Sequence, residues 1–252
     1  MRIVFISDIH GNLPALEAVK KDILRRGADQ IVNLGDSLSG PLLPRETAQF
    51  LMTEGWYSLA GNHERQILAE DGAPRGASDA YAYEQLTSVE LDWIRSLTHR
   101  HQLTEEILIC HGTPRSDIEY FLETVEGNAM RIARPDEINE RIAGEMAPII
   151  VCGHSHVPRL IKRNTGLFNE QILFNPGSIG LQAYEDNHPH DYRMEIGSPD
   201  VRYAILERDN GLWNVSFHAV AYDFEPMVRL AQERGREDWA RALKTGYMTN
   251  RV

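Results

Sequence analysis

The chain has 252 residues, 42% apolar and 25% charged, a mixture that supports a packed core and excludes a disordered or collagen-like polymer. Its 26 lysines and arginines stand against 37 aspartates and glutamates, and the resulting net charge of -11 opposes a nucleic-acid polymer as partner. A small phosphorylated compound stays compatible with that charge, because bound divalent cations reverse the local sign of the field.

In chain order, RIVFIS reads as a buried strand, and polar Asp8 and His10 follow it too closely for the apolar stretch of a secretory leader. Leu13, Ala15, Leu16, Val19 and Ile23 then keep helical spacing from an Asn12 cap to Gly27. QIVNLG, WYSLAG, EILIC and PIIVCG repeat the short apolar run, with helices predicted between them over 44 to 53, 79 to 97 and 135 to 146. That alternation is the mark of an α/β fold. Beyond residue 156, RLIKR, QILFN, VRYAILE and LWNVSFHAV are strand-like and closely spaced, which predicts antiparallel pairing in a second sheet. Residues from about 225 to 245 are expected to be helical and to pack on one edge. No repeat or linker marks a boundary, so one domain over 1–252 is expected. No run reaches the roughly 18 apolar residues of a membrane span. Cys110 and Cys152 end apolar runs and read as inert buried thiols, in keeping with a reducing, cytoplasmic setting.

Five apolar runs lead into a side chain able to bind metal: Asp8, Asp36, Asn62, His111 and His154. In open α/β sheets, ligands bind in the crevice beyond the carboxyl ends of the strands, so residues distant in sequence converge there. His10 lies two residues after Asp8, and His156 two after His154; in extended backbone each pair projects to one side. Taken alone, Asp8-Ile9-His10 reads more readily as an Asx turn than as a metal site, and Gly61-Asn62-His63-Glu64 more readily as a helix start capped by Asn62.

Asp-x-His, Gly-Asp, Gly-Asn-His-Glu, a lone His and Gly-His-x-His, in that order and each after a predicted strand, together resemble the signature of the calcineurin-like metallophosphoesterases. NPGSIG at 175 to 180 is similar to a loop in the bacterial, phosphodiesterase-like branch. The resemblance implies a sandwich of two mixed β-sheets flanked by helices. It also implies one metal at Asp8, His10, Asp36 and His156, and a second at Asp36, Asn62, His111 and His154, with Asp36 bridging. Mixed imidazole and oxygen donors suit two divalent transition metal ions (Mn, Fe, Zn or Ni) better than Ca or Mg. The implied activity is hydrolysis of a small phosphodiester or nucleotide by a metal-bridging hydroxide, with His63, uncommitted beside Asn62, as general acid. A dinucleoside polyphosphate hydrolase and a non-catalytic interaction scaffold on the same fold are the alternatives. A filled metal set together with His63 favours an enzyme.

The phosphoprotein phosphatases that share this core continue the second block as GDxVDRG, whereas here Ser39 stands at the place of their second Asp and Gly40 at that of their phosphate-binding Arg. The group that orients His63 is thus left open, and a protein phosphatase is disfavoured. Arg45, Arg65 and Arg115 each follow a motif and are candidates to bind substrate phosphate. His99, His101, His188 and His190 read as surface residues, and His218 as a hydrogen-bonded core histidine.

Overall fold

The computed structural model describes residues 1–70, 72–164 and 170–249. The chain begins β1 (Arg2–Ile6), α1 (Leu13–Arg26), β2 (Gln30–Asn33), α2 (Pro44–Glu54), β3 (Tyr57–Ser58) and α3 (Asn62–Ile67). Next come α4 (Ala77–Gln85), α5 (Ser88–Arg95), β4 (Arg100–Gln102), β5 (Ile107–Cys110), a hairpin of β6 (Glu123–Glu126) and β7 (Ala129–Ile132), then α6 (Pro135–Ile142) and β8 (Ile149–Val151). The remainder is β9 (Arg159–Asn164), β10 (Glu170–Asn175), a second hairpin of β11 (Ala183–Asp186) and β12 (Tyr192–Glu195), β13 (Val201–Asp209), β14 (Leu212–Val220), α7 (Glu225–Glu233) and α8 (Glu237–Thr245).

Two five-stranded mixed sheets result, in the orders β14-β13-β1-β2-β3 and β4-β5-β8-β10-β9. β1, β2 and β3 run parallel to one another, as do β5, β8 and β10. Their carboxyl ends therefore point the same way within each sheet. The late strands do not form a separate sheet as expected. β9 pairs antiparallel with β10 on the second sheet, while β13 pairs antiparallel with β1 on the first, placing Leu206 opposite Ile3. β1 is apolar on both faces, so its free edge needs a partner within the core, and β13 supplies one.

The sheets face each other through Ile3, Phe5, Val32, Ile109, Val151 and Phe174, and the Phe5 and Phe174 rings meet edge to face at 5.4 Å. Each such side chain contributes about 1.5–3 kcal/mol by leaving water. On the outer face of the first sheet, α1 buries Ala15, Leu16, Val19 and Ile23 against Val4 and Ile6, the periodicity legible in the sequence. Asn12 caps it by accepting from the Ala15 amide at 3.3 Å. The predicted helix over 79 to 97 is two helices, because Leu86 is extended and Thr87 starts α5. Thr87 accepts from the Val89 amide at 3.3 Å and donates its own amide to Glu90 at 2.9 Å, the reciprocal pair encoded in T-x-x-E.

The helices near 225 to 245 pack in part on β11 of the second hairpin. α7 and α8 bury Met227, Val228, Ala231, Trp239 and Leu243 against Leu42, Leu181 and Ala183, which covers the loops at the strand ends. Cys110 and Cys152 are free and buried, and burial pushes both thiols up in pKa. No helix among the described residues is long and apolar enough to cross a membrane.

Candidate metal centre

All seven sequence-predicted ligands meet at the carboxyl ends of β1, β2, β5 and β8 and at the start of α3. Donor atoms of Asp8, His10 and His156 lie within 4.8 Å of one another, as do those of Asp36, His111 and His154. Asn62 joins the second group, its Oδ1 3.2 Å from His111 Nε2. The backbone that delivers them is not the extended one expected. Asp8, His10, Asp36, His154 and His156 all have φ between 53° and 67°. Such left-handed turns in non-glycine residues cost about 1–3 kcal/mol each and persist where the surroundings over-determine them. One consequence is that His154 and His156, two residues apart, serve different groups.

Neighbouring backbone holds these turns. Asp8 N donates to Gly35 O at 3.0 Å and His10 N to Asp36 O at 3.0 Å, which laces the first loop to the second. The NPGSIG segment clamps the first loop from the other side, where Ser178 Oγ donates to Asp8 O at 2.8 Å, and also holds the loop after β8, where Asn175 Nδ2 donates to Gly153 O at 2.6 Å. Glu64, fully buried, accepts from the amides of Asp36, Ser37 and Gly61, each at 2.8 Å. Gly61 must be glycine, since a Cβ there would lie 2.1 Å from Asp36 Oδ1.

Backbone carbonyls fix the ring nitrogen that each histidine turns inward. His10, His111 and His156 donate Nδ1–H to the carbonyls of Ser39, Leu34 and Leu181 at 2.7 to 2.8 Å, leaving Nε2 for a ligand. His154 is the reverse: Nε2 donates to Ile118 O at 3.1 Å, leaving Nδ1. Burial pushes His10 down to about 4 and His156 well below the imidazole range, so both rings are neutral. Their Nε2 lone pairs nonetheless face each other at 3.1 Å, and both carboxylate oxygens of Asp8 are buried without a hydrogen-bond donor. Burial raises the Asp8 carboxyl to about 7. Lone pairs at contact distance beside an orphaned carboxylate repel one another unless a cation sits between them, so the donor set fits a divalent ion. In the second group, Asp36 overcomes burial to raise His111 to about 10, from a carboxylate oxygen 3.1 Å away.

His63 stands beside both groups without belonging to either. Its amide donates to Asp36 Oδ1 at 2.9 Å, while its Nδ1 lies 2.8 Å from Oδ1 of buried Asp79 in the first turn of α4. Against the lowering effect of burial, the charges of Asp36, Asp79 and Glu64 raise His63 to about 9. Asp79 answers the open question of what orients His63. No local signal marks it, because it lies 16 residues from His63 in a helix that meets it only in the fold. His10, Asp36, Asn62, His63, His154 and His156 open into a cavity of about 580 Å³ whose further walls include Tyr120, Tyr184, Arg236 and Trp239. Tyr120 stacks on His154 at 4.6 Å, and Tyr184 meets His156 edge-on at 4.9 Å.

Residues 1–166 match the calcineurin-like phosphoesterase family. The chain belongs to that family. Phosphodiesterase YfcE of Escherichia coli is 27% identical over 198 residues, covering 77% of this chain and 86% of that one. A metallophosphoesterase structure from Sphaerobacter thermophilus superposes with a TM-score of 0.76 at 27% identity, over 98% of this chain and 100% of the other. A hypothetical protein from Pyrococcus horikoshii shares the fold, with a TM-score of 0.72 at 16% identity over 98% of each chain.

Ser39 and Gly40 are the positions at which the sequence departs from the phosphoprotein phosphatase pattern, and the structure gives a reason for the second. Gly40 has φ of +153°, and a Cβ there would lie 2.7 Å from both His10 O and Trp239 Cη2. The indole of α8 fills the space into which an arginine at this position would extend. Arg45, Arg65 and Arg115 do not replace it. Arg65 is forked to Asp117 at 2.6 and 3.0 Å, Arg115 pairs with Glu119 at 2.6 Å, and Arg45 lines a different cleft near Glu90. None of the three lines the metal cavity, whereas Arg236 does. His188 lines the rim of the cavity while its side chain stays 88% exposed, in keeping with the surface reading, and His218 is half-buried, stacked on Tyr203 at 4.9 Å.

Proposed function

We propose that this chain is a metal-dependent phosphoester hydrolase acting on a small phosphorylated molecule. Asp8, His10, Asp36, Asn62, His111, His154 and His156 would hold two divalent transition metal ions, of the Mn, Fe, Zn or Ni kind that mixed imidazole and oxygen donors suit. The observation that carries this reading is the pair of neutral imidazoles facing each other at 3.1 Å next to the donor-less carboxylate of Asp8, an arrangement that a divalent cation relieves. When bound, two such ions lower the pKa of a water and stabilise the oxygens of an in-line displacement at phosphorus.

The chain's own side chains do the rest. His63, held through Nδ1 by Asp79, presents Nε2 to the leaving oxygen and gives it a proton. Asp36 orients His63 through its amide while facing His111, so one carboxylate couples the acid to the ligand set. Tyr120, Tyr184 and Trp239 narrow the cavity, whose roughly 580 Å³ falls in the usual range for small-molecule sites and supports a small substrate over a phosphoprotein or nucleic-acid polymer. A non-catalytic scaffold has no use for a cavity-facing His63 backed by buried Asp79. The reading takes residues 1–252 as one domain in a reducing, cytoplasmic setting, in keeping with two cysteines buried as thiols.

Without an arginine at position 40, the extra charge of a monoester dianion lacks the bidentate partner which that position supplies in the phosphoprotein phosphatases. Small diesters or phosphoanhydrides are therefore expected to be hydrolysed at least as well as monoesters. The test is kcat/KM of the Mn-loaded protein for matched aryl mono- and diesters with a phosphopeptide alongside. A monoester preference above about a hundredfold, or about 2.7 kcal/mol, would overturn the substrate class. No turnover of any phosphoester would overturn the hydrolase reading itself.

A further inference from the structure

One guanidinium lines the cavity and is tied to the helix that holds His63. Arg236, the residue preceding α8, is the only arginine or lysine among the described residues lining it. Its Nη1 donates to Ser78 Oγ at 3.0 Å, and the next residue in the chain, Asp79, holds His63 at 2.8 Å. Consecutive side chains in the first turn of α4 thus tie the guanidinium and the imidazole to one rigid element. Arg236 and the ligand His10 also flank the same indole: the guanidinium carbon is 5.5 Å and the His10 ring 5.9 Å from rings of Trp239.

We propose that Arg236 is a specificity-determining residue that receives a phosphate or similar anionic group on the departing half of the substrate. The inference rests on the hydrolase reading above and narrows its substrate class to phosphoanhydrides, and to esters whose leaving alcohol is itself phosphorylated. In the reaction, the oxygen of water bonds to phosphorus and gives up a proton to solvent, the bond from phosphorus to the leaving oxygen breaks with its electron pair on that oxygen, and His63 protonates it and regains a proton from solvent. The anion on the departing half rests meanwhile on Arg236.

The guanidinium is prepared for this. Its side chain is only 25% exposed, lies over Trp239 and is fixed by Ser78 and Asp238, so little rotamer freedom is left to lose on binding. Asp238 forks it at 3.0 and 2.7 Å, but the Asp238 side chain is 46% exposed. An ion pair that open contributes at most about 1 kcal/mol, so Asp238 can turn to water when a stronger anion arrives. Three of the five guanidinium N–H groups are engaged in these bonds, which leaves one on each terminal nitrogen to reach a ligand. Glu185 and Asp186, on the β11 side of the cavity, repel a second anion there and concentrate binding at Arg236.

The test uses two aryl phosphodiesters whose departing phenol bears either a para-sulfomethyl or a para-methyl group, because a sulfonate carries the charge yet is a weak ligand for divalent ions. For the Mn-loaded protein, kcat/KM should favour the charged leaving group by at least about tenfold. Arg236→Gln should bring that ratio to within about threefold of one, and Arg236→Lys should leave an intermediate value. A ratio near one in the unaltered protein, or a ratio that Arg236→Gln leaves unchanged, overturns the proposal. Calorimetric titration of the Mn-loaded protein with 4-(sulfomethyl)phenol supplies a readout independent of turnover. Binding at least about tenfold tighter to the unaltered protein than to Arg236→Gln supports the clamp, and equal binding overturns it. Failure to hydrolyse either ester contradicts the hydrolase reading, and the titration then decides the clamp alone.

Discussion

Replacing Asp79 by Asn preserves the shape of the residue behind His63 while removing its charge, and so isolates what that charge does. The bond is short, 2.8 Å, and Asp79 is buried, so no water can take over the role. A hydrogen bond to a charged partner contributes about 1.5–3 kcal/mol against about 0.5–1.5 for a neutral one. The difference, roughly 1–1.5 kcal/mol, corresponds to about a tenfold loss in kcat when proton donation limits the rate. The ceiling is set by His63→Ala, which removes the general acid and should cost about 10² to 10⁴. The loss should be concentrated on an alkyl or nucleoside leaving group, because an acidic phenol departs with little protonation. The pH profile should move with it. Asp79 helps raise His63 to about 9, the protonated acid exists below that value, and removing the carboxylate should shift the basic limb to lower pH. The assay is kcat against pH for matched alkyl and 4-nitrophenyl diesters, with metal content measured on the same samples. The double variant should be no slower than His63→Ala alone, since both changes disable one device. Equal losses on both esters, additive losses in the double variant, or loss of metal would each refute the reasoning.

Asp36→Ala should reduce metal content at both groups, whereas His156→Ala should mainly empty one; elemental analysis showing identical occupancies would contradict the assignment of ligands. Gly40→Ala places a Cβ 2.7 Å from Trp239 and from His10 O in a left-handed turn, and should destabilise by about 1–3 kcal/mol, read as a fall of several degrees in Tm. An unchanged melt would mean that α8 does not sit on the loop as described. Asp22 accepts from Tyr203 Oη and Arg25 Nη2 at 2.6 Å and from Arg26 Nε at 2.8 Å; although burial opposes it, these bonds hold the carboxyl well below its usual range. Its stabilisation is therefore present above the unfolded pKa of about 3.9 and is lost as pH falls through the lower folded value. Asp22→Asn should destabilise at pH 7 by more than at pH 3, and a gap independent of pH would contradict this.

The candidate ligands were legible because the apolar runs of β1, β2, β5 and β8 are each followed within three residues by a donor, so strand prediction and ligand prediction were one act. Asp8, Asp36, His111 and His154 all follow from that rule. His10 and His156 followed from spacing, although the backbone that positions them is left-handed and not extended. The residues that complete the site were not legible. Asp79, Arg236 and Trp239 come from helices whose own patterns report only which face is buried, and nothing local ties residue 79 to residue 63 or residue 239 to residue 40. The substitutions at Ser39 and Gly40 could be seen as a gap, but not what fills it. Strand periodicity likewise identified β13 and its apolar face but not its neighbour, because alternation fixes a face and leaves the pairing partner open.

The central claim is that two ions held by these seven residues make the chain a phosphoester hydrolase, and titrating metal-stripped protein with Mn²⁺ while following hydrolysis of bis(4-nitrophenyl) phosphate tests it most directly. Turnover should be absent without metal, rise with added ion and reach its plateau at two bound equivalents per chain, with elemental analysis of the same samples giving the same number. Turnover that survives a strong chelator, or a plateau at one equivalent, would contradict the account.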